Sequence, residues 1–265
     1  ENKFKMRGHT LLWHEQVPAW LFRDKDGVAL EPGEDSKQMV LERLRTHIRQ
    51  VVERYKDAVY AWDVVNEAID PNMPDCMRRT PWYNLTGTEF IDVAFQTARE
   101  AAPEGKLYYN DYDTTSFRRR ECMLRLVGDL KARGIPIDGM GHQMHVNIAY
   151  PTPEAITETI NLFADLGVDN EITELDMSVY NNSTQVYGAV PDEVIVRQGY
   201  RYRDIFEALR NLKGKITNVT FWGLADDNTW LKTFPITRLD LPLLFDERLQ
   251  AKPAYWGVVE PSRLP

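Results

Sequence analysis

Six short runs rich in β-branched and aromatic residues constrain the fold of this chain more than any other feature. They lie at 4–13, 59–65, 106–110, 137–145, 168–177 and 216–224. Between them, apolar residues recur at helical spacing (i, i+3, i+4, i+7) in the stretches 41–55, 90–98, 123–130, 156–163 and 202–212. Nearly continuous apolar strands that alternate with amphipathic helices predict a parallel sheet covered by helices.

Local sequence signals place several helix ends. Thr86 with Glu89 reads as a capping box before the second helix, and Thr152 followed by a proline reads as a cap before the fourth. Gly134 and Gly167 stand just past predicted helix ends, where a left-handed residue is wanted.

The six βα units counted in the chain fit either a doubly wound sheet or a (β/α)8 barrel, and the positions of the polar residues distinguish the two architectures. No linker or low-complexity tract divides the 265 residues, so we expect residues 1–265 to form one domain. No Gly-x-Gly-x-x-Gly follows the first strand, which weakens a nucleotide-binding interpretation. Polar side chains stand at the end of every predicted strand, whereas an open sheet would concentrate them at one switch point. This distribution predicts a (β/α)8 TIM barrel, of which the chain supplies about six βα units.

Composition excludes several classes of function. The net charge of −8, from 32 basic and 40 acidic residues, argues against a nucleic-acid partner. No apolar run reaches 18 residues, so no membrane helix is expected.

Cys76 and Cys122 form either one disulfide or two buried thiols. No signal peptide is visible at Glu1-Asn2-Lys3.

The main candidates for catalytic residues are two glutamates that end apolar strands. A charge there is costly to bury, so Glu67 and Glu174 form either salt bridges at the rim or a reactive pair. Glycoside hydrolysis needs two carboxyl groups and no metal or other cofactor. Strand alternation places Asp176 on the same face as Glu174, and Gln143 on the same face as His145. A histidine between Glu174 and Asp176 would hold the nucleophile in place.

Six ordered motifs resemble glycoside hydrolase family 10, whose members are mainly retaining endo-1,4-β-xylanases on a (β/α)8 barrel. The motifs are Gly8-His-Thr-Leu-Leu-Trp-His14, Trp62-Asp-Val-Val-Asn-Glu67, Asn110-Asp-Tyr112, Gly141-His-Gln-Met-His145, Ile172-Thr-Glu-Leu-Asp176 and Trp222-Gly-Leu-Ala-Asp-Asp-Asn-Thr-Trp230.

The resemblance implies a role for each matching residue. Glu67 corresponds to the acid/base and Glu174 to the nucleophile, with His145 and Asp176 behind the nucleophile. The sugar at subsite −1 is contacted by Asn66, through its 2-hydroxyl, and by His14 and Gln143. Trp222 and Trp230 wall the glycone side, whereas Tyr112 and Tyr180 lie toward the aglycone side. The substrate implied is xylan or its oligosaccharides.

The family's barrel has two further βα units before the strand that ends at His14. We expect these units to exist elsewhere, cut or separated by an insertion, and an appended carbohydrate-binding module is a further alternative.

The rival functions are a mixed xylanase/cellobiosidase, a non-catalytic xylan-binding barrel and a metal-dependent hydrolase. His142 and His145 have ligand spacing but lack a third ligand. The polymeric substrate predicts secretion or display at the cell surface, the alternative being an intracellular enzyme that trims oligosaccharides.

Overall fold

Strands and helices alternate along the computed structural model, which describes residues 4–265. The strands are β1 (Met6–Leu12), β2 (Val59–Asn66), β3 (Lys106–Asp111), β4 (Gly139–His142), β5 (His145–Asn147), β6 (Asp169–Ser178) and β7 (Asn218–Phe221). The α-helices are α1 (Glu34–Tyr55), α2 (Pro81–Thr86), α3 (Glu89–Ala101), α4 (Phe117–Ala132), α5 (Pro153–Asp165), α6 (Asp192–Asn211) and α7 (Pro253–Val259). Within residues 4–265, no helix combines the length and the apolar character needed to cross a bilayer.

The predicted strand over 137–145 is wrong as a single element. It separates into β4 and β5 because Met144 has a φ of 60°, a left-handed conformation that a strand cannot contain. The alternation argument that paired Gln143 with His145 on one face therefore does not apply, since Gln143 lies outside both strands.

The predicted capping box is also wrong. Thr86 is the last residue of α2, and its hydroxyl donates to a carbonyl one turn earlier at 2.7 Å. Thr88 occupies the N-cap of α3 without a side-chain bond. The cap at Thr152 is confirmed, since its Oγ1 accepts an N–H of the first turn of α5 at 3.2 Å. Gly134 and Gly167 have the expected positive φ values of 73° and 72°.

The chain divides into two compact units. Unit 1 contains the described residues through Asp111 together with Ser116–Gly141 and Leu166–Val168. Unit 2 contains Tyr112–Thr115, His142–Asp165 and Asp169–Pro265. That residues 1–265 form one catalytic domain remains a prediction.

In unit 1, β1, β2 and β3 pair in parallel, and β2 is the middle strand. The register sets Asn66 opposite Asn110, so two amide side chains meet where the strands end. Residues 61–65 are buried without alternation, as expected for a strand covered on both faces. Gly8 permits this packing, because a Cβ there would lie 2.2 Å from the indole of Trp62.

A disulfide joins Cys76, in the loop after β2, to Cys122 on α4. Of the two states left open by the sequence, the structure therefore has the bridge. It closes a loop over a sequence separation of 46 residues within unit 1. Such a crosslink limits the conformations of the unfolded chain and so stabilises the segment that follows β2.

In unit 2, β5 and β7 both pair in parallel with β6. The register sets His145 opposite Asp176, while Leu175 pairs with Phe221. Leu175 lies in a core with Ile160 of α5 and other apolar side chains. Because side chains alternate along a strand, burial of Leu175 in this core turns its two neighbours to the other face of β6.

A buried ion pair fixes the segment between β7 and α7. The ammonium of Lys252 donates to Asp226 Oδ2 at 2.7 Å and to the carbonyls of Leu241 and Leu243 at 2.7 and 2.9 Å. The other oxygen of Asp226 accepts the N–H of Leu243 at 2.8 Å. Burial raises the pKa of Asp226 and lowers that of Lys252, and the attraction between the two charges opposes both shifts.

We predict that Lys252→Met lowers the free energy of unfolding by about 3–5 kcal/mol, since it leaves a buried carboxylate without its partner. Urea denaturation followed by circular dichroism measures the loss. Lys213→Met, at an exposed position of the same unit, is the matched control and should change stability by less than about 0.5 kcal/mol. Equal stability of the two variants would contradict a structural role for the pair.

Candidate active site

Glu67 follows β2 directly and has a φ of 58°, an unusual conformation for a residue with a side chain. Three hydrogen bonds of unit 1 hold it. Its N–H donates to the carbonyl of Asn110 at 2.9 Å, and its carbonyl accepts Nε of Arg78 at 2.9 Å. The next N–H, that of Ala68, donates to the hydroxyl of Tyr109 at 3.0 Å. Backbone strain that the surroundings impose in this way is characteristic of functional positions.

Asn66 orients the carboxyl group of Glu67. Its Nδ2 donates to Glu67 Oε1 at 3.3 Å, and its Oδ1 accepts Nδ2 of Asn110 at 2.9 Å. Because Asn110 donates to the oxygen, the amide of Asn66 must turn its nitrogen toward Glu67. The arrangement therefore presents an N–H donor beside the carboxyl group.

Behind this pair lies a buried network that the sequence analysis did not identify. The hydroxyl of Tyr109 donates to Asp111 Oδ2, and Nη1 of Arg119 donates to Asp111 Oδ1 at 3.2 Å. The same Nη1 also donates to the carbonyl of Ile69 at 3.0 Å. Burial, reinforced by the negative charge of Asp111, raises the pKa of Tyr109 well above its usual value. The phenol therefore stays protonated and fixes the turn that carries Glu67.

His14, in unit 1, offers an unused hydrogen-bonding atom. Its Nδ1 is buried and has no hydrogen-bond partner within residues 4–265. Burial lowers the pKa of His14, and the nearby charge of Arg78 lowers it further. The imidazole is therefore neutral near pH 7, with a ring nitrogen suited to a sugar hydroxyl.

In unit 2, the imidazole of His145 lies between two carboxylates. Its Nδ1 is 3.0 Å from Asp176 Oδ1, and its Nε2 is 3.2 Å from Glu174 Oε2. The predicted histidine between Glu174 and Asp176 is therefore present, and the two acids share one face of β6. Both carboxylates are acceptors, so both ring nitrogens must carry hydrogen, and such an imidazole is positively charged.

The pKa of His145 agrees with this protonation. Burial lowers it, but hydrogen bonds and charges from Asp176 and Glu174 outweigh burial and raise the pKa to about 10. The charged imidazole therefore lies in a buried site, where the side chain of Glu174 is only 6% exposed. The N–H of Glu174 donates to the carbonyl of Gln143 at 3.1 Å, which fixes the backbone as well.

Trp230 completes the cluster. Its indole Nε1 donates to Asp176 Oδ2 at 2.7 Å, so the two oxygens of Asp176 hold a histidine and a tryptophan. The indole ring meets the imidazole edge to face at 4.8 Å between centroids. Trp222 follows β7, and its backbone N–H donates to the carbonyl of Leu175 at 3.0 Å. The residue is 36% exposed.

The remaining predicted site residues differ in accessibility. Gln143 is 2% exposed, and Tyr112 is half-buried in the segment after β3. Tyr180 is 2% exposed, donates from its hydroxyl to the carbonyl of Leu239 at 2.7 Å and stacks on Tyr187. Tyr180 thus has a clear packing role, and its contact with substrate stays a prediction.

His142 is bound within the core. Its ring nitrogens contact Thr114 Oγ1 at 3.0 Å and Asn170 Oδ1 at 2.9 Å, and burial lowers its pKa to about 4. Within the described part of the chain, no group of three or more His, Cys, Asp and Glu side chains is placed to hold a metal ion.

Comparison with known proteins gives the same identification along the whole chain. The sequence profile of glycosyl hydrolase family 10 matches residues 1–261. The chain is 46% identical to a thermostable celloxylanase of Thermoclostridium stercorarium, over all of this chain and 70% of that protein. It is 47% identical to endo-1,4-β-xylanase A of Thermotoga maritima, again over all of this chain but over only 24% of that longer protein.

A solved structure matches the fold. The crystal structure of xylanase B from Clostridium stercorarium F9 superimposes with a TM-score of 0.94 at 46% identity, covering 97% of this chain and 78% of that one. The prediction of a (β/α)8 barrel, to which this chain contributes about six βα units, is thereby confirmed. The chain belongs to glycosyl hydrolase family 10.

Proposed function

We propose that this chain carries the catalytic machinery of a retaining endo-1,4-β-xylanase that cleaves internal bonds of xylan by double displacement. The observation that carries the proposal is the Glu174–His145–Asp176–Trp230 cluster. In this cluster the buried carboxylate of Glu174 lies beside a charged imidazole, and the backbone N–H of Glu174 is bound by the carbonyl of Gln143. A carboxylate held in one orientation in this way is suited to attack an anomeric carbon.

Glu67 is the proposed acid/base. It protonates the departing glycosidic oxygen and then removes a proton from the water that releases the sugar from Glu174. The strained, triply held backbone of Glu67 keeps its carboxyl group in place through both steps. Each step needs only these two carboxyl groups and water.

The side chains around the two glutamates bind the sugar rings. The Asn66 amide hydrogen-bonds the 2-hydroxyl at subsite −1, and His14 and Gln143 contact other hydroxyls of that ring. The indoles of Trp222 and Trp230 cover the apolar face of the glycone, because aromatic faces suit the C–H faces of pyranose rings. The proposed aglycone contacts come from Tyr112 and Tyr180.

A second candidate is a mixed activity on xylan and on glucose-based chains. One relative is named a celloxylanase, which favours this alternative. Rates on aryl xylobioside and aryl cellobioside distinguish the two. Comparable kcat/KM values on both substrates would establish the mixed activity.

We further propose that the protein is secreted or displayed at the cell surface. The Cys76–Cys122 disulfide supports this, since disulfides persist mainly in oxidising compartments. The size of xylan also supports it, because a polymer of that length has to be cut outside the cell.

We predict that Glu174→Ala abolishes the release of reducing sugar from xylan, because no glycosyl-enzyme can form. Glu67→Ala should lose about 10²–10⁴-fold on xylan but far less on an aryl xylobioside with a good leaving group, which needs no proton. Glu207→Ala, at an exposed position of α6, is the control and should keep full activity. Equal losses for Glu67→Ala on both substrates would argue against its role as the acid.

We predict that the first product released has its reducing end in the β configuration, since two displacements restore the starting stereochemistry. Proton NMR of the anomeric signals during the first minutes of hydrolysis measures this. Early appearance of the α anomer would indicate a single displacement and would remove Glu174 as the nucleophile.

We predict a pH dependence of stability that belongs to His145. With a pKa of about 10 in the fold against 6.5 ordinarily, folded His145 keeps a proton that the unfolded chain releases. Its stabilisation is complete below pH 6.5 and is lost progressively as the pH rises toward 10. Urea denaturation of wild type and His145→Asn at several pH values tests this.

The two stability curves should therefore converge as the pH rises through that window. His47→Asn, at an exposed position on α1, is the control and should run parallel to wild type. Parallel curves for His145→Asn as well would show that the imidazole is not charged in the fold.

A further inference from the structure

Unit 2 contains a pocket of about 290 Å³ that opens beside His145. Its wall is formed by Asn147 at the end of β5, by the loop 180–183 after β6, and by part of the segment between β7 and α7. Of this wall, the roles proposed above use only His145, beside the nucleophile, and Tyr180, toward the aglycone side, and they leave the rest of the space unassigned. Its volume is near the lower end for small-ligand sites and suits one sugar unit.

Arg238 gives the pocket its charge. Its guanidinium lies 3.7 Å from the ring centroid of Tyr180, and Nη1 donates to the carbonyls of Asn182 and Gln185 at 2.8 and 3.1 Å. Among the described residues, Arg238 forms no ion pair with a carboxylate within 4.0 Å. An arginine held by neutral carbonyls and an aromatic face keeps a positive charge available to an anionic ligand.

Asp240 is the acidic group in the same wall, and it does not present a charge to the pocket surface. It is 1% exposed. Its Oδ1 accepts the N–H groups of Val179 and Leu241 at 3.0 and 2.9 Å, and its Oδ2 accepts the hydroxyl of Ser178 at 2.5 Å. Burial also raises the pKa of Asp240. The charge of Arg238 opposes this rise in the pKa of Asp240, and Arg238 is the more accessible charged side chain of the two in the pocket wall.

The pocket also has an exposed aromatic ring. Phe234 is 61% exposed and stacks on Trp230 with 5.6 Å between ring centroids and planes 24° apart. Because Trp230 binds Asp176, the aromatic surface runs from the catalytic cluster to the pocket. A ring face next to amide groups is a common way to hold a pyranose.

We propose that this pocket binds a uronic acid branch of the xylan chain, with Arg238 pairing with its carboxylate. The amides of Asn147 and Asn182 would meet its hydroxyls, and Phe234 would cover its apolar face. This inference rests on the proposed xylanase function and adds a preference for acidic substituents. A neutral branch would fill the same space without using the positive charge.

The test compares two polymers that differ in one functional group. One is glucuronoxylan, and the other is the same preparation with its uronic carboxyl groups reduced to alcohols. For Arg238→Gln, we expect kcat/KM on glucuronoxylan to fall about 10-fold or more, through KM, since the variant loses a charge-assisted hydrogen bond to the uronic carboxylate. Activity on the reduced polymer should stay within about twofold of wild type, because the lost partner is absent there.

Arg248→Gln is the matched control, since it removes one positive charge from an exposed turn outside the pocket. It should leave the ratio of activities on the two polymers unchanged. Equal losses for Arg238→Gln on both polymers would mean that the arginine only supports the fold. Unchanged activity on both would overturn the proposal. Failure of the wild type on both polymers would contradict the xylanase function instead.

A second variant keeps the test decisive if Arg238→Gln unfolds. Asn182→Asp retains the Oδ1 acceptor that binds the N–H groups of Thr184 and Gln185 at 3.1 and 2.8 Å, and it adds a negative charge at the pocket. Because both polymers carry the branch hydroxyls that Asn182 would meet, we expect a loss on both that is several-fold larger on the acidic polymer, with protein made in a host that does not glycosylate asparagine. Equal activity ratios for this variant and wild type would contradict the proposal.

Discussion

The proposed catalytic cluster depends on one interaction, the placement of the His145 imidazole between Glu174 and Asp176. Two carboxylates this close to each other in a buried site would repel, and the shared cation removes the repulsion. Trp230 then binds the oxygen of Asp176 that His145 does not use. The side chains of Glu174, His145, Asp176 and Trp230 are therefore held as one unit, and the aromatic wall of the proposed sugar site is fixed by the same contacts.

Glu67 is held by a different means. Its carboxyl group accepts a hydrogen bond from the amide of Asn66, and its position comes from a strained backbone. Tyr109 and Arg78 hold that backbone from opposite sides of the peptide. The two glutamates are thus held by different contacts, as the proposed division into one carboxyl group that attacks and one that exchanges protons requires.

Periodicity and motif order were sufficient to predict most of the strands, the main helices and the residues around Glu174. They work because burial of β6 on both faces and alternation along it follow directly from the sequence. The break at Met144 was missed because a left-handed conformation at a non-glycine residue leaves no mark in a hydrophobic pattern. Thr86 was misassigned because the short helix α2 occupies the residues just before α3. Tyr109, Lys252 and Arg238 act through contacts between distant segments, which spacing alone does not reveal.

The central claim is that Glu174 forms a covalent bond to the sugar. An activated 2-deoxy-2-fluoro xylobioside tests it most directly, since the fluorine slows the second displacement and lets the glycosyl-enzyme accumulate. Intact mass spectrometry followed by peptide mapping should find one fluoroxylobiosyl group, attached to Glu174. A label on another residue, or inactivation without any covalent adduct, would contradict the account.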